Sequence, residues 1–135
     1  MEVLVLANAI ILTQEQLEER LVYWQKVLRL QDWDIRIRLC RRWELPGEHL
    51  DGNCRYHLDS KTAQISILCS DDYEPGWRPY DAERILLHEL IHLHLIPLNI
   101  SNDAPEAVAE EQAVNLLACA FVKLARGDAA PPEVR

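Results

Sequence analysis

Positive charge is scarce in this chain: fourteen lysines and arginines face twenty-two aspartates and glutamates, a net charge of -8 over 135 residues. A protein this acidic has no general attraction for nucleic acid phosphates or anionic lipid heads. Long apolar runs are also lacking, and none approaches the ~20 residues that cross a bilayer. The four cysteines, Cys40, Cys54, Cys69 and Cys119, form neither a C-x-x-C pair nor a zinc-finger spacing. Nothing points to an oxidising compartment, so reduced, packed thiols are expected. There is no internal repeat and no low-complexity segment. The apolar start, residues 1–12, contains Ala7-Asn8-Ala9 but has Glu2 where a secretory leader has basic residues. It reads as a packed arm or strand, and the protein as cytoplasmic.

An apolar fraction of 49% with 27% charged residues is ordinary for a folded domain, and 135 residues suit one domain over 1–135. Thr13 and Gln16 make a capping-box pattern, so a first helix is expected there, with Leu17, Leu21, Trp24 and Leu28 as its core stripe. From Trp33 to Leu39 apolar and charged residues alternate, as a half-buried strand requires. Alternation resumes at Cys54, Tyr56 and Leu58, and again at Ala63, Ile65 and Ile67, with Asp59-Ser60-Lys61 between. Three strands in an antiparallel sheet are the expectation. Asp81 can cap a helix that ends at Pro97, and a last helix is expected from about Asp103 to Gly127, followed by a frayed tail over 128–135.

The first of those two late helices carries His88-Glu89-Leu90-Ile91-His92, an H-E-x-x-H pattern. Residues four apart lie one turn apart on one helix face, so both imidazoles can reach a single ion at the ~2.0–2.1 Å of a zinc–nitrogen bond. Glu89 adjoins the first ligand and can take a proton from a water whose pKa the metal lowers toward ~7. The rest of the helix is nearly all apolar, which makes these polar residues partly buried and in need of partners. Hydrogen-bonded core histidines with no ion are the competing interpretation.

Catalytic zinc usually has three protein ligands and an open position. Glu110 and Glu111 on the last helix are both candidates, and spacing alone separates them poorly. Glu110 is in phase with Ala113, Leu117 and Phe121. Glu111 is in phase with Val114, Ala118 and Val122, and has Asn115 one turn on, placed to hold a ligand histidine. Leu98 stands where the H-E-x-x-H-x-x-G-x-x-H class has its third histidine, which excludes that class.

Residues Leu86 to His92, followed by Glu111-Gln112-Ala113-Val114-Asn115-Leu116-Leu117-Ala118, resemble the core of the gluzincin metallopeptidases. The pattern is most similar to the small ImmA/IrrE-type and SprT-like proteins of phages and mobile elements, over roughly residues 14–126. Val114 stands where that pattern has alanine. The resemblance implies a minimal zincin: an α+β domain with a helix on a three-stranded sheet, then two helices gripping Zn2+. It implies His88, His92 and Glu111 as ligands, Glu89 as general base, and a protein or peptide as substrate. A non-catalytic zinc module with a closed, four-ligand site is the alternative.

The remaining candidates are weaker. His94 points to another helix face, and His49 and His57 lie in a loop and on a strand. Tyr73, Trp77 and Tyr80 can wall a cleft or, for a tyrosine, stabilise an oxyanion, although packing is the commoner use of such rings. Arg36, Arg38, Arg41 and Arg42 form a local basic spot that suits a solvated strand end better than DNA binding.

Overall fold

The computed structural model describes residues 9–76 and 78–127. Most of the expected N-terminal arm, Trp77 and the expected C-terminal tail lie outside the described residues. Helix α1 (Gln14–Val27) starts at the capping box: the Gln16 amide donates to Thr13 Oγ1 at 3.1 Å, and the Thr13 amide to Gln16 Oε1 at 2.9 Å. It buries Leu17, Leu21 and Trp24. Just before it, Ile10 forms a single parallel bridge at Asp81: its amide donates to the Tyr80 carbonyl at 2.8 Å, and its carbonyl accepts from Ala82 at 3.0 Å.

Strands β1 (Asp34–Cys40), β2 (Gly52–His57) and β3 (Thr62–Leu68) form a three-stranded sheet. The expected antiparallel arrangement is corrected here, because the order is β1-β3-β2, with β3 parallel to β1 and antiparallel to β2. The reason lies in the connections. A tight turn at 58–61, with Lys61 at φ 54, makes β2 and β3 a hairpin. The segment 41–51 is long enough to carry the chain past the central position, which β3 then fills. Alternation in sequence reports which face a residue takes and says nothing about which strand it pairs with.

Register sorts the two faces. Ile37, Ile65 and Cys54 align on the inner face, as do Leu39, Ile67 and Gly52, and all but glycine join the main apolar cluster. On the outer face Arg36, Gln64 and Arg55 align in one row, and Arg38, Ser66 and Asn53 in the next.

Helix α2 (Ala82–Leu95) begins at Asp81, whose Oδ1 accepts from the Arg84 amide at 3.1 Å, and ends in a 3-10 turn, Ile96–Leu98, containing Pro97. It lies among the sheet, α1 and helix α3 (Glu106–Ala125), which explains its apolar character on nearly every side. Leu86, Leu87 and Leu90 are fully buried, each worth about 1.5–3 kcal/mol on transfer from water. On α3 the buried stripe is Val114, Ala118 and Val122, while Leu116, Leu117 and Leu124 are exposed. Gly127, at φ +70, takes the left-handed conformation that ends the helix. Among the described residues no helix is long and apolar enough to cross a membrane.

Candidate metal centre

Four-residue spacing on α2 puts the His88 and His92 rings 4.8 Å apart between centroids, with their Nε2 atoms 3.2 Å from each other. Glu111, arriving on α3, closes the triangle. Its Oε2 is 3.0 Å from His88 Nε2 and its Oε1 is 3.0 Å from His92 Nε2. Donors at ~2.0–2.1 Å from a tetrahedral ion lie about 3.3 Å apart, so two imidazole nitrogens and a carboxylate so close together fit a divalent cation. This His–His–Glu group can hold a metal ion.

The two glutamates left unresolved by spacing have different partners. Glu110 Oε2 lies 2.9 Å from Nδ1 of His92, on the far side of the ring from Glu111. A proton on Nδ1, donated to Glu110, leaves the Nε2 lone pair facing the ligand triangle and fixes the ring's orientation. The orienting role suggested for Asn115 thus belongs, at His92, to Glu110. Helical phase explains the split: Glu111, itself half exposed, is in line with the buried Val114, Ala118 and Val122, and Glu110 sits one position to its side.

Electrostatics follow from the crowding. Hydrogen bonds to His88 and His92 hold the Glu111 carboxyl far below the usual range. Burial pulls His92 toward its neutral form, but the carboxylates of Glu111, Glu89 and Glu110 outweigh it and leave the ring above its ordinary value. Burial pushes Glu89 up, against the pull of both histidines. Glu89 is 8% exposed, and its carboxyl makes no hydrogen bond among the described residues. Cys54, beside it, is pushed up to about 12 by burial and by the charge on Glu89, so it stays a thiol.

No family model, curated protein or solved structure matches this chain.

The three donors open onto a cavity of about 750 Å³ between α2, α3 and β2. One wall is β2, an edge strand, which contributes Gly52, Asn53, Cys54 and Tyr56. Gly52 is needed for this approach: a Cβ there would lie 2.7 Å from Ile85 Cγ2 and 3.1 Å from Glu89 Oε2. Tyr56 and Arg84 also line the cavity and were not singled out in sequence. The alternation at Cys54-Arg55-Tyr56 offered a signal for Tyr56. For Arg84 the signal was its place four residues before His88.

The other candidates fall elsewhere. His94 bonds the Leu28 carbonyl at 2.6 Å, and His49 lines the cavity without joining the ligand group. Tyr80 donates to the Leu68 carbonyl at 2.6 Å and stacks edge-on with Tyr73 at 5.3 Å, so the pair packs and neither hydroxyl meets the cavity. Arg38 pairs with Glu44 at 2.6 Å and Arg41 with Asp72 at 2.7 Å. Much of the basic spot is therefore neutralised locally. All four cysteines are free.

Proposed function

We propose that the chain is a zinc-dependent hydrolase that cleaves peptide bonds, a minimal zincin resembling the gluzincins. The observation that carries this reading is the convergence of His88 Nε2, His92 Nε2 and the Glu111 carboxylate at the wall of an open cavity, with buried, unpaired Glu89 alongside. Two imidazoles and one carboxylate are the donor set of a catalytic zinc site with an exchangeable position, whereas a structural site is closed by four protein ligands. Among the described residues the group has three members. That favours catalysis over a purely structural zinc module.

A zinc ion bound there supplies Lewis acidity toward a carbonyl oxygen and acidifies water. The chain's own residues do the rest. His88, His92 and Glu111 set the position, and Glu110 keeps His92 from rotating. Glu89 takes a proton from the attacking water onto its carboxylate and delivers it to the leaving amine nitrogen as the C–N bond breaks. Burial raises the basicity that this exchange needs. The free edge of β2 can align an extended peptide by accepting it as a further strand.

Two measurements test this. Metal analysis of the chain after zinc loading is expected to find one ion, lost on replacing both histidines. Glu89→Gln is expected to keep the ion while lowering peptide turnover by roughly 10²–10⁴-fold. Undiminished turnover in that variant, or no stoichiometric ion in the parent chain, overturns the proposal.

A further inference from the structure

Arg84 is the one buried side chain among the described residues with a fully enclosed polar atom, Nη2, that has no hydrogen-bond partner. The residue is 7% exposed, and its guanidinium takes part in no ion pair among the described residues. Four other arginines, Arg126, Arg20, Arg38 and Arg41, are each paired with a carboxylate at 2.6–2.7 Å. A buried guanidinium nitrogen without an acceptor is costly, and the positive charge beside it favours an anion as the group that comes to this end of the cavity.

Where Arg84 sits indicates which anion. Positions 84, 88 and 92 follow at four-residue steps along α2, so Arg84 continues the face that carries both histidines, and it lines the same cavity. Asn115, one turn beyond Glu111 on α3, lines that cavity as well, and so does Arg78, which donates to Cys119 Sγ at 3.5 Å. The acidic groups of the lining, Asp51, Glu89, Glu110 and Glu111, would repel an anion elsewhere in the cavity.

We propose that Arg84 is the centre of a carboxylate-binding subsite that selects peptides bearing a carboxylate on the residue following the bond to be cut. The inference deepens the hydrolase reading and rests on it. Side chains at i and i+4 have Cβ atoms about 5–6 Å apart. One extended residue spans about 3.3–3.6 Å, and a guanidinium–carboxylate bond adds roughly 2.8 Å. A carboxylate one residue beyond the scissile carbonyl therefore reaches Arg84 while that carbonyl faces the histidines. The guanidinium carries further N–H donors besides the enclosed Nη2, and its delocalised charge favours a carboxylate that accepts from them. The carboxylate can be the peptide's own C-terminus or an acidic side chain.

Calorimetric titration of the full chain with three probes tests the subsite: N-acetyl-alanyl-phenylalanine, its C-terminal amide, and N-acetyl-alanyl-glutamyl amide. Each is run on zinc-loaded and metal-free protein, because a carboxylate seated on the ion would imitate the effect only in the first. The expected result is at least tenfold tighter binding of one or both acids than of the neutral amide in both states. Arg84→Met is expected to erase that preference, and Arg84→Lys to keep part of it. Preference for the first acid assigns a C-terminal carboxylate, and preference for the glutamyl probe assigns a side chain. Equal binding of acids and amide by the unaltered chain overturns the subsite, a result that needs no variant to fold. Turnover of neutral peptides alongside such equality leaves the hydrolase reading standing. Acid preference without any turnover removes that reading and keeps the subsite.

Discussion

The first turn of α2 and its middle bury carboxylates to nearly the same depth and treat them in opposite ways. Glu83, 7% exposed, accepts from Trp24 Nε1 at 2.6 Å, Arg20 Nε at 2.7 Å and Arg126 Nη2 at 3.3 Å, while Arg126 also grips Asp81 through both Nη atoms. These bonds tie α1 and the end of α3 to the start of α2. Glu89, two turns on and 8% exposed, has no hydrogen bond among the described residues, and burial raises its affinity for a proton. The arginines repeat the contrast, with Arg126 saturated and Arg84 unpartnered. Burial alone therefore does not mark a functional residue. Glu89 and Arg84 differ from Glu83 and Arg126 in being buried without a partner at the wall of a cavity, and the proposed roles rest on that difference.

That contrast can be broken most severely at Glu83. Glu83→Gln is expected to cost about 3 kcal/mol in urea denaturation, because it removes the charge that meets Arg20 Nε and Trp24 Nε1 while Arg126 keeps its pair with Asp81, whereas Glu89→Gln leaves the midpoint unchanged or higher. Equal losses in the two variants would dissolve the distinction. A smaller loss is expected from Gly52→Ala, about 1–3 kcal/mol, since the new methyl group meets Ile85 and presses on Glu89. Turnover in this variant should fall further than its stability predicts.

Glu110→Gln sharpens the comparison on the ligand side. Zinc affinity, measured by competition with a chelator, is expected to drop by up to about 10–100-fold as the carboxylate at His92 Nδ1 is replaced by a neutral acceptor. Glu111→Gln should cost more, and the reverse order would exchange their roles. The smallest effect belongs to the exposed bidentate pair Arg41–Asp72, where the guanidinium holds the Asp72 carboxyl down at about 2, below its ordinary 3.8. A depressed folded-state pKa contributes stability that is present above the unfolded value and is lost as pH falls through the folded one. The stability gap between the parent chain and Asp72→Asn should therefore be full above about pH 5, shrink from about pH 4 and vanish only below about pH 2. A gap that grows with acidity would contradict the assigned pairing.

How much of this was legible in advance depends on the reach of each interaction. The capping box at Thr13 and Gln16, the cap at Asp81 and the first strand join residues close in sequence; both caps stand as expected, and the strand expected over Trp33 to Leu39 is found one residue along, at Asp34–Cys40. The pairing of His88 with His92 is equally local, one turn of one helix. The mixed sheet was not legible, because β1 and β3 become parallel neighbours only through the path of segment 41–51. Nor were the exposed leucines of α3, since an amphipathic pattern with apolar residues on several sides does not say which side meets the rest of the protein.

By itself the sequence determined the elements, their caps, and two imidazoles and a carboxylate gathered on one helix, because backbone periodicity places residues three or four apart without help from the rest of the chain. Only the tertiary structure decided that Glu111 faces both Nε2 atoms while Glu110 turns to His92 Nδ1, that Gly52 admits β2 against Glu89, and that Glu83 is satisfied where Arg84 is not. Each of these depends on the distance and angle between elements that are remote along the chain, which are set by the packing of the sheet, α1 and α3 around α2.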